Sequence, residues 1–72
     1  MAKSLTQRIQ DYLIHWRQVD PDKFVNGGEL ERLAMGIGYK ASNASRRCRE
    51  LVNAGVLERK EMAGSVWYRS NN

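Results

Sequence analysis

The chain carries one cysteine, one histidine and one proline, and no apolar run approaches the length of a membrane span. Each scarcity excludes a class of protein. Cys48 has no second thiol for an intramolecular disulfide, and one thiol with one histidine cannot supply the four protein ligands of a structural zinc site. A chain without metal or other cofactor is therefore expected, of cytoplasmic type. No stretch of about 18 consecutive apolar residues occurs, and the segment Met1 to Arg8 lacks the apolar core of a secretory signal, so a soluble protein with no membrane partner is expected. Phosphate-cradling glycine loops, nucleophile-elbow sequences and paired-histidine metal motifs are missing too.

What is present is small. With 72 residues and 42% hydrophobic content the chain makes one domain spanning residues 1–72, since chains divide into separate cores only beyond about 100–200 residues. A domain of this size buries only about 60% of its unfolded surface, so an enclosed active site would compete with the core for apolar side chains. A binding protein is expected, not an enzyme. His15, without a partner motif, is read as a surface or locally paired residue, and Cys48 as a small core residue.

Turn signals divide the chain at Asp20-Pro21-Asp22, Asn26-Gly27-Gly28, Gly36-Ile37-Gly38, Ala54-Gly55 and Ala63-Gly64-Ser65. Ser4-Leu5-Thr6-Gln7 has capping-box spacing, and Leu5, Ile9, Tyr12, Leu13 and Trp16 form one helical stripe, predicting a first helix over about residues 5–19. Phe24-Val25 is long enough only for an edge strand or a hydrophobic staple. Asn26 and Glu29 have the spacing of a cap and its reciprocal acid, and Leu30, Leu33, Ala34 and Ile37 share a face, predicting a second helix over about 27–36. Ala44, Cys48, Leu51 and Val52 predict a third over about 43–54, with Ser42 at its start and Gly55 as its glycine cap. The period then changes. Two β-prone runs around a three-residue Ala63-Gly64-Ser65 turn predict a hairpin over about 56–69, leaning on the helices through Leu57, Val66, and Trp67 or Tyr68. Trp16 and Trp67 are both expected in the core, unless one anchors a dimer.

In this order the elements resemble winged helix-turn-helix domains across nearly the full chain. The likeness is carried by Gly28-Glu29-Leu30-Glu31-Arg32-Leu33-Ala34, by the run from Ser45 to Arg59, and by Val66-Trp67-Tyr68-Arg69. It implies an α+β fold of three helices followed by a C-terminal β-hairpin wing. It also implies that the third helix is a recognition helix entering the major groove of double-stranded DNA. On that likeness Ser42, Asn43, Ser45, Arg46 and Arg49 face the bases, with arginine suited to guanine and asparagine to adenine. Lys40 would hold a phosphate, and at the wing Arg59, Lys60, Gly64 and Ser65 would meet the backbone or the minor groove. Winged domains that bind left-handed Z-form nucleic acid carry Lys, Asn and Tyr on this helix and Trp on the last strand. Here Ser42, Ser45 and Arg49 occupy the helix positions and only Trp67 matches, so the likeness ends at the fold.

The charge has a matching distribution. Residues 1–39 hold five basic and five acidic side chains, whereas residues 40–72 hold seven basic and three acidic, which is the whole of the +4 excess. A charge run alone is as well explained by a solvated helix face. Concentrated on the third helix and hairpin, it reads as an electrostatic footprint for nucleic acid, tempered by Glu50, Glu58 and Glu61. The expected function is a small transcriptional or replication regulator of phage or plasmid type, with a homodimer left open through the first helix or the C-terminus. The competing expectations are a protein-interaction adaptor, marked by exposed Ile14, Val19 or Tyr39, and an RNA-binding protein using the same surface.

Overall fold

The computed structural model describes residues 3–72, in the order α1 (Leu5–Val19), β1 (Val25–Asn26), α2 (Gly27–Gly36), α3 (Ala41–Asn53), β2 (Leu57–Met62) and β3 (Ser65–Ser70). Met1 and Ala2, with what the 1–72 domain span and the N-terminal segment owe to them, lie outside the described residues. The fold is α+β, with three helices and an antiparallel sheet of order β1-β3-β2, a winged-helix-like arrangement. Among the described residues no helix is long and apolar enough to cross a membrane.

The helix starts are set by local chemistry. Ser4 Oγ accepts from the Gln7 amide at 3.1 Å, which satisfies one of the amides a helix start leaves unpaired. The expected reciprocal half of that box is not made, because the Gln7 side chain donates to Asp11 a turn ahead, at 2.9 Å. The same happens at α2. Asn26 Oδ1 accepts from the Gly28 amide at 2.7 Å, while Glu29 instead accepts from the Tyr12 hydroxyl at 3.0 Å, tying α2 to α1.

Both later helix ends close in one motif. Gly38 and Gly55 have φ of +92° and +78°, a conformation glycine adopts without steric cost. In each the next residue's amide reaches back to the helix, Tyr39 to the Ala34 carbonyl at 3.0 Å and Val56 to that of Leu51 at 2.9 Å. Gly36, expected to share the reversal, is simply the last residue of α2. The third helix begins at Ala41, earlier than its stripe suggested, with Lys40 at the cap position and no side-chain cap.

The core joins Leu5, Ile9 and Leu13 of α1, Leu30 and Ala34 of α2, Ala44, Cys48 and Leu51 of α3, and Val25, Leu57 and Tyr68 of the sheet. Cys48 is thus a core residue, as expected. The Phe24-Val25 segment contributes an edge strand, Val25 pairing with Tyr68 and Asn26 with Trp67.

The hairpin departs from expectation at its turn. Met62 pairs with Ser65, so the loop is only Ala63-Gly64, both with positive φ (+53° and +77°). That is a primed two-residue turn, whose twist matches the flanking strands, and it holds alanine in the left-handed region at a cost of about 1–2 kcal/mol. Side chains alternate along a strand, so this register sends Val66, Tyr68 and Ser70 to the helices and Trp67 and Arg69 to the outer face. Trp67 is therefore not a core residue; it is half-buried on the outer face and donates from Nε1 to the Met62 carbonyl at 3.1 Å. Trp16 is half-buried against the core with Lys23 Nζ 4.0 Å from its ring centroid. On the outer face Arg69 packs over Phe24 (4.4 Å), pairs with Glu58 (2.6 Å) and donates to the Pro21 carbonyl (2.9 Å), tying the connection before β1 to the last strand.

Candidate nucleic-acid interface

The stripe that gives α3 its buried side fixes its open side. Ala44, Cys48 and Leu51 point into the core, so Ser42, Ser45, Arg46, Arg49 and Asn53 share the opposite face, and all five are exposed. Asn43, expected among them, is half-buried and accepts from Arg46 Nη2 at 3.1 Å, so it sets the Arg46 side chain more than it presents its own. Glu50 lies at the flank, 4.0 Å from Arg47. Lys40 is exposed at the start of the helix.

Beside this face lies a groove of about 570 Å³ between α3, the N-terminus of α2 and the inner side of the wing. Four of the expected residues meet there: Ser45 and Arg49 from α3, and Arg59 and Ser65 from the hairpin. Ser65 is half-buried and opens β3 opposite Met62, just past the two-residue turn. Gly64 lies apart at the wing tip, against Glu61 and Met62. Lys60 also falls outside the groove. It pairs with Trp67 while Arg59 pairs with Tyr68, so the two cations occupy opposite faces of the sheet, and Lys60 Nζ sits 5.2 Å from the Phe24 ring centroid.

Ion pairing sorts the basic side chains further. Arg47 pairs with Glu50, Arg59 with Glu61 at 2.6 Å, and Arg69 with Glu58 at 2.6 Å. Of the seven basic residues from 40 onward, Lys40, Arg46, Arg49 and Lys60 make no ion pair with a described residue. Three of these four belong to α3 or its cap.

Tyr68 and Glu31 are groove residues that the sequence reading did not assign to the site, and Glu61, read there only as tempering the charge, is the ion-pair partner of Arg59. Tyr68 lines the groove as the cross-strand partner of Arg59, and Glu31 lies on the α2 wall. Burial pushes the Tyr68 hydroxyl above its usual pKa of 10.0, against the pull of the Arg59 and Arg49 charges. Burial also pushes the Cys48 thiol, at the groove floor, up to about 12. Both stay protonated at neutral pH. Trp67, the one position shared with Z-form binders, points to the sheet face away from α3. Among the described residues no three His, Cys, Asp or Glu side chains gather as metal ligands. No family model, curated protein or solved structure matches this chain, so the functional reading rests on its own residues and geometry.

Proposed function

We propose that the chain is a winged helix-turn-helix module that binds double-stranded DNA, with α3 in the major groove and the β2–β3 wing along the backbone or in the minor groove. The observation that carries this reading is the exposed stripe of α3, whose Arg46 and Arg49 have no acidic partner among the described residues. A helix is about 10–12 Å across and the major groove about 12 Å wide, so such a face can reach base edges. Arg46 suits guanine, and Asn53 suits adenine. The uncapped start of α3 leaves backbone amides beside Lys40 for a phosphate, at the positive end of the helix dipole. A module of this kind fits a small transcriptional or replication regulator, with no catalytic role.

Replacing both Arg46 and Arg49 by alanine should weaken duplex binding at least tenfold and flatten its salt dependence. Unchanged affinity and slope would remove α3 from the interface. Competition between duplex and structured RNA separates DNA from RNA as the polymer, and sedimentation separates a monomer from a homodimer.

One observation favours a protein partner instead. Met35, Ile37 and Tyr39, around the α2–α3 turn, are 52%, 37% and 40% exposed, an apolar cluster beside the basic helix. Val19 is exposed as well, whereas Ile14 is half-buried. An adaptor would lose its partner on Met35→Ser with Tyr39→Ser and keep it on the double arginine substitution.

A further inference from the structure

Arg49 and Arg59 line one groove from different elements, together with one phenol. Arg49 projects from α3 and Arg59 from β2, and the Tyr68 side chain lines the groove with them. Tyr68 is 8% exposed and belongs to the core cluster, so packing fixes its position. Its hydroxyl feels both guanidinium charges, yet burial keeps it protonated and able to donate. Two guanidiniums and a hydroxyl form a donor set matched to a phosphate oxyanion.

The acids nearby define how such a site would work. Glu31 stands on the α2 wall and disfavours an anion there, leaving the side between α3 and β2. Glu61 Oε1 accepts from Arg59 Nη2 at 2.6 Å, with the two side chains 68% and 44% exposed. An ion pair this exposed is weakly held and exchanges readily for a better anion.

We propose that this groove seats one phosphate on Arg49, Arg59 and the Tyr68 hydroxyl, and that Glu61 is an internal anion occupying Arg59 until phosphate displaces it. In taking that phosphate from a duplex backbone the inference rests on the DNA-binding reading above; free inorganic phosphate presents the same chemistry.

The test uses the full chain with Glu61→Gln, Tyr68→Phe and, as control, Glu58→Gln. The control removes the same charge beside Arg69 on the opposite sheet face. Duplex affinity is measured at low salt for each. Separately, the arginine Nε–H and Tyr68 ring NMR signals are followed as inorganic phosphate replaces chloride at constant ionic strength. Glu61→Gln should tighten duplex binding several-fold more than Glu58→Gln does, because it frees a specific guanidinium as well as raising net charge. Tyr68→Phe should weaken binding about tenfold at unchanged unfolding midpoint, the scale of one hydrogen bond to a charged group. If the wild type binds duplex and neither substitution differs from the control, the seat is overturned and the DNA reading stands. If duplex does not bind but phosphate shifts the Arg49, Arg59 and Tyr68 signals, the seat serves free phosphate and the DNA reading falls. If neither duplex nor phosphate has an effect, both fall.

Discussion

Cys48 and Tyr68 are ionisable groups in the core, and their titration ties stability to pH with a definite sign. Burial pushes the Cys48 thiol from 9.0 up to about 12. Below pH 9 the thiol is protonated in folded and unfolded chains alike, and pH has no leverage through it. Above pH 9 the unfolded chain gives up the proton while the folded chain keeps it, so stability falls by up to about 1.4 kcal/mol per pH unit until the folded thiol also titrates. The Tyr68 hydroxyl, raised from 10.0, acts in the same direction at higher pH. Urea midpoints should therefore be flat from pH 7 to 9 and decline beyond. Cys48→Ala should move the onset of that decline up by about one pH unit, towards the tyrosine range, whatever cavity cost it adds at all pH values. A decline starting at the same pH in the variant would exclude the thiol as its source. The same burial leaves Cys48 poorly reactive, since the thiolate is the nucleophile.

Helix ends written in side chains or glycines were legible, because Ser4, Asn26, Gly38 and Gly55 each act within one turn of themselves. The start of α3 was not, because Lys40 occupies the cap position without capping it. The extended Lys40 backbone, with φ −77° and ψ 152°, is already what a capping residue needs. Lys40→Asp should consequently stabilise the fold by about 1 kcal/mol through a new cap and dipole contact. Under the DNA-binding proposal it should weaken duplex binding at the same time, by replacing a cation at the proposed interface with an anion. Thermal unfolding and a binding isotherm on one sample check both signs, and a loss of stability would mean that the cap geometry is not available. The wing shows a different limit. A three-residue turn would shift the pairing of β3 by one position and bring Trp67 inward; the two-residue turn brings Tyr68 inward and puts it beside Arg59. Local sequence does not distinguish the two loop lengths when alanine must take a positive φ, so the groove and its phenol became visible only with the register. The outward face of α3 was readable in advance because helical period alone determines it, whereas the separation of Lys60 from Arg59 depended on which strand face meets the helices.

Across the molecule, charge partition becomes sharper once pairs are removed. The first 39 residues are neutral in sum, and beyond them each glutamate is held by one arginine. What remains is Lys40, Arg46 and Arg49 along one helix, with Lys60 facing away on the far side of the sheet. This geometry bounds the electrostatics of the proposed duplex binding. Each neutralised phosphate contributes about 0.9 to the slope of log K against log salt, so three cations bound its magnitude at about 2.7, and Arg59, sharing one phosphate with Arg49, adds no further step. Lys60 should contribute nothing, and Lys60→Ala should leave the slope in place, whereas Lys40→Ala should lower it by about 0.9. Titrations between roughly 50 and 200 mM salt, the range over which phosphate contacts change affinity measurably, read these values directly. A slope near that of all seven basic residues, or a Lys60→Ala effect equal to that of Lys40→Ala, would show that the duplex meets the outer sheet face and that the α3 surface is not the one it uses.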